Sequence, residues 1–396
     1  MCFRPNTTKN LLLKLRLQMK NIILSIVFIL LTTACKNNTA KTDDVSTYKI
    51  PVFVWDNLSK PDTDDDLLAY FKDLKNKGVD GLMYSAGHDP ETYRRVGKIA
   101  KTVGLEFHAW IPTMIQHTNP KLEPEWYAIN RKGESAFDKP AYVSHYQFLC
   151  PSKAGTYNFL ENLYGSVADV EEVDGIHLDF IRFPDVILAS GLWEKYGLTM
   201  DIEHPQFDYC YCDDCTNGFK EKSGIDIKSV EDPTQVEAWK QYRYDLITNI
   251  VNKLADMVHS KNKAINAAVF PGPNSEAKRL VRQEWDKWNL DAFYPMNYND
   301  FYLQGTKWVG KVTNEAITTI NNRKPVYSGL FICPNPANKA NESDPENHGL
   351  LPEEFEAAVR ESMVNGAKGI CLFTPGRMTD ADWKVLQDII NTDYTK

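Results

Sequence analysis

The sequence lacks both a long apolar segment and a run of basic residues. A largely apolar stretch at Ile22–Leu31 has only ten residues, whereas a helix needs about 20 to span a bilayer. The formal net charge is −8, and residues 1–35 carry five basic groups and no acidic one, which leaves −13 for the remainder. Proteins that bind nucleic acid usually cluster Lys and Arg on one face. We therefore expect neither a membrane-spanning helix in this stretch nor a nucleic-acid partner.

Apolar and aromatic side chains, by contrast, are abundant. The 396 residues are 43% hydrophobic and 12% aromatic, which is enough for a large core. This length fits two ordinary domains, or one barrel of about 250 residues that carries long insertions. Most of the aromatic side chains are expected in the core, but clefts that bind sugars also use flat apolar faces.

The first 47 residues are predicted to be a targeting segment and a tether. Ile22–Leu31 follows a basic region, and the segment that ends in Cys35 resembles the lipobox of bacterial lipoproteins. The resemblance implies a signal peptide over 1–35 with lipidation of Cys35, and 36–47 holds too few apolar residues to fold. An ordinary cleaved signal peptide with a chance cysteine is the alternative. The prediction is an exported bacterial lipoprotein, bound through this lipid to the outer membrane on its periplasmic side or at the cell surface.

From residue 48 onward, short apolar runs alternate with amphipathic segments. Eight strand–helix units in strict alternation indicate a parallel sheet that closes into a barrel. The predicted fold class is therefore α/β, a (β/α)8 TIM barrel over 48–396. Its strands are predicted at Ile50–Asp56, Gly81–Ser85, Leu105–Ile111, Gly175–Arg182, Ala264–Phe270, Ala292–Tyr298, Val326–Ile332 and Gly369–Thr374.

Similar tetrads open the even-numbered strands, and three of them contain an aspartate: Asp80, Asp174 and Asp291. These aspartates lie at the bottom of the predicted barrel, so we expect them to form turns and not to act in catalysis. Two connections, at 112–150 after strand three and 184–233 after strand four, are much longer than usual for this fold. Both leave from the C-terminal strand ends, which is the face that carries active sites in such barrels.

The motif in strand four, Val-Asp-Gly-Ile-His-Leu-Asp-Phe-Ile-Arg-Phe-Pro at 173–184, contains the first candidate for catalysis. Because side chains alternate along a strand, His177 and Asp179 are predicted to face the barrel axis, with Asp179 nearer the mouth. A carboxylate there is partly desolvated, and neighbours such as Arg182 can tune its pKa. The alternative is a buried aspartate that pairs with His177 or Arg182 for structural reasons alone.

The same motif resembles the signature of bacterial glycosyl-hydrolase-like barrel families, whose members are often exported lipoproteins. The resemblance extends over most of 48–390 and implies a barrel with glycoside hydrolase activity, without indicating a sugar. Weaker matches occur in the expected order at Glu125-Trp126, Asn130-Arg131-Lys132-Gly133, Cys150-Pro151-Ser152 and Tyr294-Pro295-Met296-Asn297-Tyr298.

Glycoside hydrolysis needs two carboxyl groups, one to protonate the leaving oxygen and one to act as nucleophile or base. Asp179 is the first predicted catalytic residue. Asp300 is the second, because it follows the inward phase of strand six just beyond the rim, and an aspartate pair on strands four and six resembles some α-galactosidase-like barrels. Asp56, Asp185 and Glu276 are competing candidates for the second carboxylate.

Further residues near the strand ends are predicted to bind substrate. Aromatic faces can stack on the C–H surface of sugar rings, and polar groups can bond to hydroxyls. The predicted substrate-binding residues are Trp55, Asp56, His108, Trp110, His177, Arg182, Asn297 and Tyr298.

Four cysteines are predicted to bind a metal: Cys150, Cys210, Cys212 and Cys215. Three thiols within six residues fit tetrahedral zinc or iron–sulfur geometry better than disulfides, since neighbouring thiols in Cys-x-Cys close only a strained ring. The arrangement also resembles that of zinc-carrying β-galactosidase barrels, which have a glutamate where this chain has Asp179. Four thiolates leave no position open for water, so the zinc would be structural. Disulfides, which an oxidising exported setting permits, are the alternative.

These observations predict an enzyme that hydrolyses a glycosidic bond in a polysaccharide or oligosaccharide outside the cytoplasm. Structural zinc is the expected cofactor, and no organic cofactor is expected. One alternative is a lipoprotein that binds carbohydrate on a barrel scaffold without catalysis. Another is a hydrolase that uses the metal of the cysteine cluster, which would require an open coordination site and ligands other than thiolate.

Overall fold

A computed structural model of the chain describes residues 48–58, 63–116, 119, 121–341 and 344–394. The predicted leader, the lipidation site Cys35 and the tether lie outside the described residues. Within the described part, no helix is both long and apolar enough to cross a membrane.

Eight parallel strands form a nearly closed barrel, which confirms the predicted (β/α)8 fold. Neighbouring strands pair in the order β6-β5-β4-β3-β2-β1-β8-β7, and parallel bridges from Phe293 to Val326 and from Met296 to Gly329 connect β6 with β7. The strands are β1 Val52–Asn57, β2 Gly81–Ser85, β3 Glu106–Pro112, β4 Gly175–Asp179, β5 Ala264–Val269, β6 Ala292–Pro295, β7 Tyr327–Phe331 and β8 Gly369–Phe373.

Helices follow the strands and cover the outside of the barrel. They begin where the sequence supplies caps: the side chain of Thr63 accepts from the Asp66 amide at the first helix, and Asp89 precedes Pro90 at the second. The helices are α1 Asp64–Asn76, α2 Pro90–Thr102, α3 Ala154–Ala168, α4 Trp193–Tyr196, α5 Asp213–Ser223, α6 Glu237–Ser260, α7 Lys278–Val281, α8 Thr306–Thr319, α9 Pro352–Val364 and α10 Asp380–Ile389.

Alternation along the strands separates two apolar cores. Ile176 and Leu178 belong to the large core between barrel and helices, whereas a smaller cluster around Phe53 fills the barrel interior. His177 faces that interior, where its Nε2 accepts a hydrogen bond from the Trp55 indole at 2.8 Å. The structure therefore confirms that the polar side chains of strand four face inward, as predicted.

The aspartates that open the even-numbered strands tie each strand to its predecessor at the bottom of the barrel. The Asp80 carboxylate accepts from the Val52 amide at 3.0 Å, and Asp174 accepts from Phe107 at 2.8 Å. Asp291 accepts from Ile265 in the same way, at 2.9 Å. This end lies opposite the C-terminal strand ends, in agreement with the predicted structural role of these aspartates.

Long insertions leave from the C-terminal ends of three strands. Those at 113–153 after β3 and 180–236 after β4 correspond to the connections predicted at 112–150 and 184–233, and a third occupies 332–351 after β7. The first two pair with each other: the Tyr211 amide donates to the Ile129 carbonyl at 2.7 Å, and the Arg131 amide donates to Asp208 at 2.9 Å. All three insertions contribute to the wall of one cleft.

Candidate active site

A cavity of about 590 Å³ opens at the C-terminal ends of β3 to β8. Eleven of its twenty lining residues are aromatic, which gives it flat apolar walls with few charges. The aromatic members are Trp110, Tyr142, Tyr146, Phe180, Tyr196, Phe270, Tyr298, Phe301, Tyr302, Phe331 and Phe373, and the others are Asp179, Arg182, Leu188, Ala189, Leu192, Pro271, Met296, Glu346 and Arg377.

Asp179 lies at the end of β4, on the cavity wall, with only 7% of its surface exposed. Each of its oxygens accepts one neutral donor: Oδ2 accepts from the Trp110 indole at 2.9 Å, and Oδ1 accepts from the Phe180 amide at 2.6 Å. Burial raises the pKa of Asp179 above its usual range, although these two donors and the Arg182 charge act in the opposite direction. The carboxyl group is therefore more readily protonated than an exposed aspartate.

Strand four ends three residues earlier than predicted because Phe180 has φ = +47°. A bulky residue in the left-handed region breaks the strand, and such conformations cluster at functional sites. The turn brings the Phe180 ring to the cavity wall next to Asp179 and directs the Phe180 amide toward the carboxylate. Strand alternation predicts that Phe180 faces the helices, as Ile176 and Leu178 do, but Phe180 lines the cavity instead.

Arg182 lines the cavity, and Nη1 of its guanidinium group has two hydrogen-bond acceptors. Its Nη1 donates to Asp185 Oδ2 at 2.8 Å and to the Phe183 carbonyl at 3.0 Å. Burial disfavours the charge, but Asp185 and Tyr146 outweigh it and raise the pKa of Arg182. Four rings surround the guanidinium carbon at 5.0 to 5.8 Å: Phe270, Phe148, Phe180 and Tyr146.

A chain of hydrogen bonds crosses the barrel interior beneath the cavity. From Trp55 it passes to His177, then to Asn266, whose Nδ2 lies 3.1 Å from His108 Nδ1. Burial lowers the pKa of His177 to about 3, so the imidazole is neutral and accepts from the indole. Three predicted substrate-binding residues, Trp55, His108 and His177, lie in this chain and are not among the residues that line the cavity.

Two further predicted binding residues face the helices. Asp56 Oδ2 accepts from the Tyr70 hydroxyl of α1 at 2.8 Å, and burial raises the pKa of Asp56. Asn297 is buried and donates to Ser328 at 2.9 Å and to Thr313 of α8 at 3.2 Å. The cavity wall thus contains Trp110, Arg182 and Tyr298 from the predicted binding residues and leaves these two outside.

The structure places Asp300 in a short 3₁₀ turn, Asn299–Tyr302, beyond the end of β6. Its Oδ2 accepts from the Gly349 amide at 2.9 Å and lies 3.5 Å from Lys339 Nζ. The inward phase of strand six continues through Met296 and Tyr298, which line the cavity, but the 3₁₀ turn changes the direction of the next side chains. Asp300 is not among the lining residues, so the structure does not bring it to the same wall as Asp179.

The competing candidates from the sequence are also engaged elsewhere. Asp185 is buried against Arg182, and Glu276 pairs with Arg279 at 2.6 Å. Glu346, which the sequence analysis did not single out, is the other carboxylate among the described lining residues besides Asp179. It lies in the insertion after β7, where its carboxylate contacts Lys195 Nζ at 2.6 Å.

The four predicted cysteine ligands form one buried cluster, with all sulfur atoms within 4.8 Å of one another. Cys150 Sγ lies 3.4 Å from Cys212 Sγ and 3.5 Å from Cys215 Sγ. A disulfide needs about 2.05 Å, whereas a tetrahedron with metal–sulfur bonds of about 2.3 Å has edges near 3.8 Å. Hydrogen bonds from the neighbouring thiols Cys150, Cys210 and Cys215 lower the pKa of Cys212. These residues fit a metal ion, and none of them lines the cavity.

Comparison with known proteins relates this chain to others by fold. No protein-family model and no curated protein matches the sequence. Among solved structures, the PgaB (BpsB) glycoside hydrolase domain from Bordetella bronchiseptica is similar with a TM-score of 0.64 and 12% identity, over 86% of this chain and 99% of that one. The catalytic domain of β-amylase from Paenibacillus polymyxa gives 0.58 and 14% identity, over 87% and 98%.

A β-galactosidase from the psychrophilic Marinomonas ef1 is also similar, with a TM-score of 0.58 and 10% identity. The likeness covers 86% of this chain and 59% of the longer β-galactosidase chain. Identities of this size establish the fold alone. The described part of the chain is therefore a TIM barrel of the kind found in glycoside hydrolases.

Proposed function

We propose that this protein hydrolyses a glycosidic bond in a polysaccharide or oligosaccharide. One observation carries the proposal: a buried carboxyl group, Asp179, stands on the wall of a cavity that is rich in aromatic rings, at the catalytic end of the barrel. Aromatic walls suit the C–H faces of sugar rings, and a desolvated carboxyl group suits proton transfer to a leaving oxygen. The three structural neighbours named above are a glycoside hydrolase domain, a β-amylase and a β-galactosidase, which supports the reaction class but no particular sugar.

Asp179 would act as the general acid. Burial raises its pKa, which keeps a proton available at a higher pH than an exposed aspartate could. The Trp110 and Phe180 donors then stabilise the carboxylate that remains once the proton has moved to the leaving oxygen. They also fix the orientation of the group before the substrate binds.

The second carboxylate would be Glu346 or Asp300. Glu346 is favoured because it lines the cavity, and the Lys195 contact fixes its position. Asp300, predicted from the sequence, would need to leave Gly349 and Lys339 to reach a substrate. Whichever group acts would attack the anomeric carbon or deprotonate a water molecule.

Three variants test this assignment on a panel of plant, algal and bacterial glycans: Asp179→Asn, Glu346→Gln and Asp300→Asn. We expect Asp179→Asn to lower kcat by about 10²- to 10⁴-fold, and Glu346→Gln to lower it at least as much. Asp344→Asn is the matched control, since Asp344 contacts the same Lys195 at 2.9 Å but does not line the cavity. Added azide should restore turnover of the variant that lacks the second carboxylate.

If Asp300→Asn loses all activity and azide restores it, while Glu346→Gln keeps its activity, the second carboxylate is Asp300. Full activity of Asp179→Asn would overturn the assignment of Asp179 as the general acid, and hydrolysis of no glycan by the wild-type protein would overturn the hydrolase proposal. Saccharide binding without turnover by the wild-type protein on every glycan would instead favour a carbohydrate-binding barrel.

We also propose that the cysteine cluster holds a structural zinc ion. The ligands would be the four sulfur atoms of Cys150, Cys210, Cys212 and Cys215, which come from the insertions after β3 and β4. Four thiolates complete the coordination of zinc, so the ion would join the insertions and not supply a nucleophile. This favours a two-carboxylate hydrolase over one that uses the metal.

Finally, we propose that the protein is an exported lipoprotein of the outer membrane with lipid on Cys35. The support is the sequence of the leader alone. Radiolabelled palmitate should enter the wild-type protein in cells and not the Cys35→Ala variant, and the labelled protein should fractionate with the outer membrane. Secretion of unlabelled wild-type protein would favour an ordinary signal peptide.

A further inference from the structure

The cavity wall contains two cations, Arg182 and Arg377, and only Arg182 has an ion-pair partner among the described residues. Four of its described residues carry a full charge at neutral pH in their ordinary state: Asp179, Arg182, Glu346 and Arg377. Arg182 is neutralised by Asp185 at 2.8 Å, and Glu346 by Lys195 at 2.6 Å. Asp179, the proposed acid, is held by neutral donors. Arg377 is the remaining cation, and within the described residues no carboxylate contacts it.

The contacts of Arg377 fix its guanidinium group and leave one edge free. Nε donates to the Ile332 carbonyl at 2.7 Å, and Nη2 donates to the carbonyls of His348 at 3.0 Å and Glu346 at 3.3 Å. The guanidinium carbon lies 4.1 Å from the centroid of the Phe331 ring, which also lines the cavity. In the described part of the chain, Nη1 has no hydrogen-bond partner.

A purely structural role explains only part of this arrangement. Arg377 clamps the insertion after β7 through Nε and Nη2, and neutral carbonyls are sufficient for that role. The clamp does not account for a half-buried cation on the cavity wall that keeps an unused pair of N–H donors. A desolvated guanidinium group binds carboxylate and sulfate groups strongly, because the hydrogen bonds are charge-assisted.

We infer that the cavity binds a saccharide with an anionic substituent, a carboxylate or a sulfate ester, and that Arg377 recognises this group through Nη1. The inference deepens the proposed function and rests on it for the statement that the ligand is a sugar. The anionic group would lie against the Phe331 side of the cavity, while the aromatic wall holds the ring. A protonated Asp179 would not repel such a ligand.

Binding of small probes tests the inference without any need for turnover. We would measure D-glucuronic acid, D-glucose 6-sulfate and D-glucose by calorimetry on the full wild-type protein, and on Arg377→Gln and Arg377→Lys. We expect at least one anionic probe to bind ten-fold or more tightly than glucose. Arg377→Gln should remove this preference, Arg377→Lys should keep part of it, and the exposed Arg360→Gln should match the wild type.

A second measurement applies if Arg377→Gln does not fold. Phenylglyoxal modifies accessible arginines, and mass spectrometry can follow Arg377 in the wild-type protein. Protection of Arg377 by the anionic probe but not by glucose would support the inference. Equal protection or none, equal affinity for all three probes, or a preference that survives in Arg377→Gln would overturn it.

The two proposals fail separately. Hydrolysis of neutral glycans alone would overturn the proposal of an anionic substrate and leave the proposal of a glycoside hydrolase. Anion-dependent binding at Arg377, with no hydrolysis of any neutral, uronic-acid or sulfated glycan, would leave the inference and overturn the hydrolase proposal.

Discussion

At the scale of single residues, the environment of Asp179 decides how the site responds to pH. Burial raises its pKa, and the Trp110 indole opposes this by donating to Oδ2 at 2.9 Å. In Trp110→Phe the carboxylate loses one donor, so the pKa of Asp179 rises further. A bond of this kind contributes about 1.5 kcal/mol, equivalent to roughly one pH unit.

If Asp179 is the general acid, the protonated form is active, and the alkaline limb of kcat/KM in Trp110→Phe should move up by roughly one unit. Trp288→Phe removes an indole hydrogen bond to Thr248, and neither residue lines the cavity, so this variant should leave the profile unchanged. A shift of the acidic limb instead would mean that Asp179 acts as the ionised partner. The pH profile of kcat/KM on one fixed substrate is the measurement.

The same burial makes stability depend on pH. Because the pKa of Asp179 is raised in the folded state, folded protein holds more protons than unfolded protein between the ordinary aspartate pKa and the raised one. Stability is therefore lost as the pH rises through that window. The difference in melting temperature between Asp179→Asn and wild type should increase from pH 3.5 to pH 7. The amide also removes an acceptor, but that cost is independent of pH, so a flat difference would contradict the raised pKa.

Strand alternation predicted the residue-scale geometry only within regular strands. It placed His177 and Asp179 inward, as observed. It could not predict the left-handed backbone at Phe180, since neither Phe180 nor its neighbours Asp179 and Ile181 are glycines that would signal one. The 3₁₀ turn that redirects Asp300 also lies beyond the end of the strand, where a period of two no longer applies.

At the scale of elements, two insertions depend on each other through the cysteine cluster. Cys150 belongs to the insertion after β3, and the other three thiols to that after β4, with all sulfurs within 4.8 Å. We expect about one zinc per chain by elemental analysis. Cys212→Ser should lose the metal and melt several degrees lower, whereas Cys333→Ser, a buried thiol outside the cluster, should keep it.

Visible absorbance of the purified protein distinguishes an iron–sulfur cluster from colourless zinc. A metal-free protein with disulfides among these four cysteines would contradict the proposal. Since the insertions supply Tyr146 and Leu188 to the cavity, loss of the metal should also raise KM more than it lowers kcat.

An element could be predicted from the sequence where a local motif indicated it. The cysteine spacing was compact and chemically restrictive, so the cluster could be predicted before the fold was known. Glu346 and Arg377 follow β7 and β8 in loops without a motif. Only the barrel brings these loops to the cavity that the end of β4 also lines, so no local pattern could indicate that Glu346 and Arg377 share a cavity with Asp179.

At the scale of the whole molecule, the two ends of the barrel have different tasks. The C-terminal ends of the strands carry the cavity and all three long insertions. The opposite end carries three equivalent aspartate ties, in which the backbone amide before each even-numbered strand also donates to the carbonyl of the preceding strand at 2.8 Å. Substitutions at the bottom of the barrel should therefore change stability and not activity, as is general for this fold.

The aspartate ties allow that separation to be measured. In Asp80→Ala, Asp174→Ala and Asp291→Ala, a backbone amide loses its charged acceptor, and a nearby Lys49, Lys101 or His259 loses its partner. The side chains of the three aspartates are 31%, 32% and 41% exposed, so each variant should lose only about 1 kcal/mol of unfolding free energy. Even-numbered strands are separated by about 10 Å, so the three losses should add to about 3 kcal/mol.

Chemical denaturation of the single and triple variants gives these values, with Asp388→Ala, an exposed helical ion pair, as a control that should change by less than about 0.5 kcal/mol. We expect kcat/KM of the folded triple variant to equal that of the wild type, because the ties lie at the end away from Asp179. A loss well above the sum would mean that the ties act together in closing the barrel. A loss of activity without loss of stability would show that the bottom of the barrel is coupled to the cavity, and the separation by end would not hold for this protein.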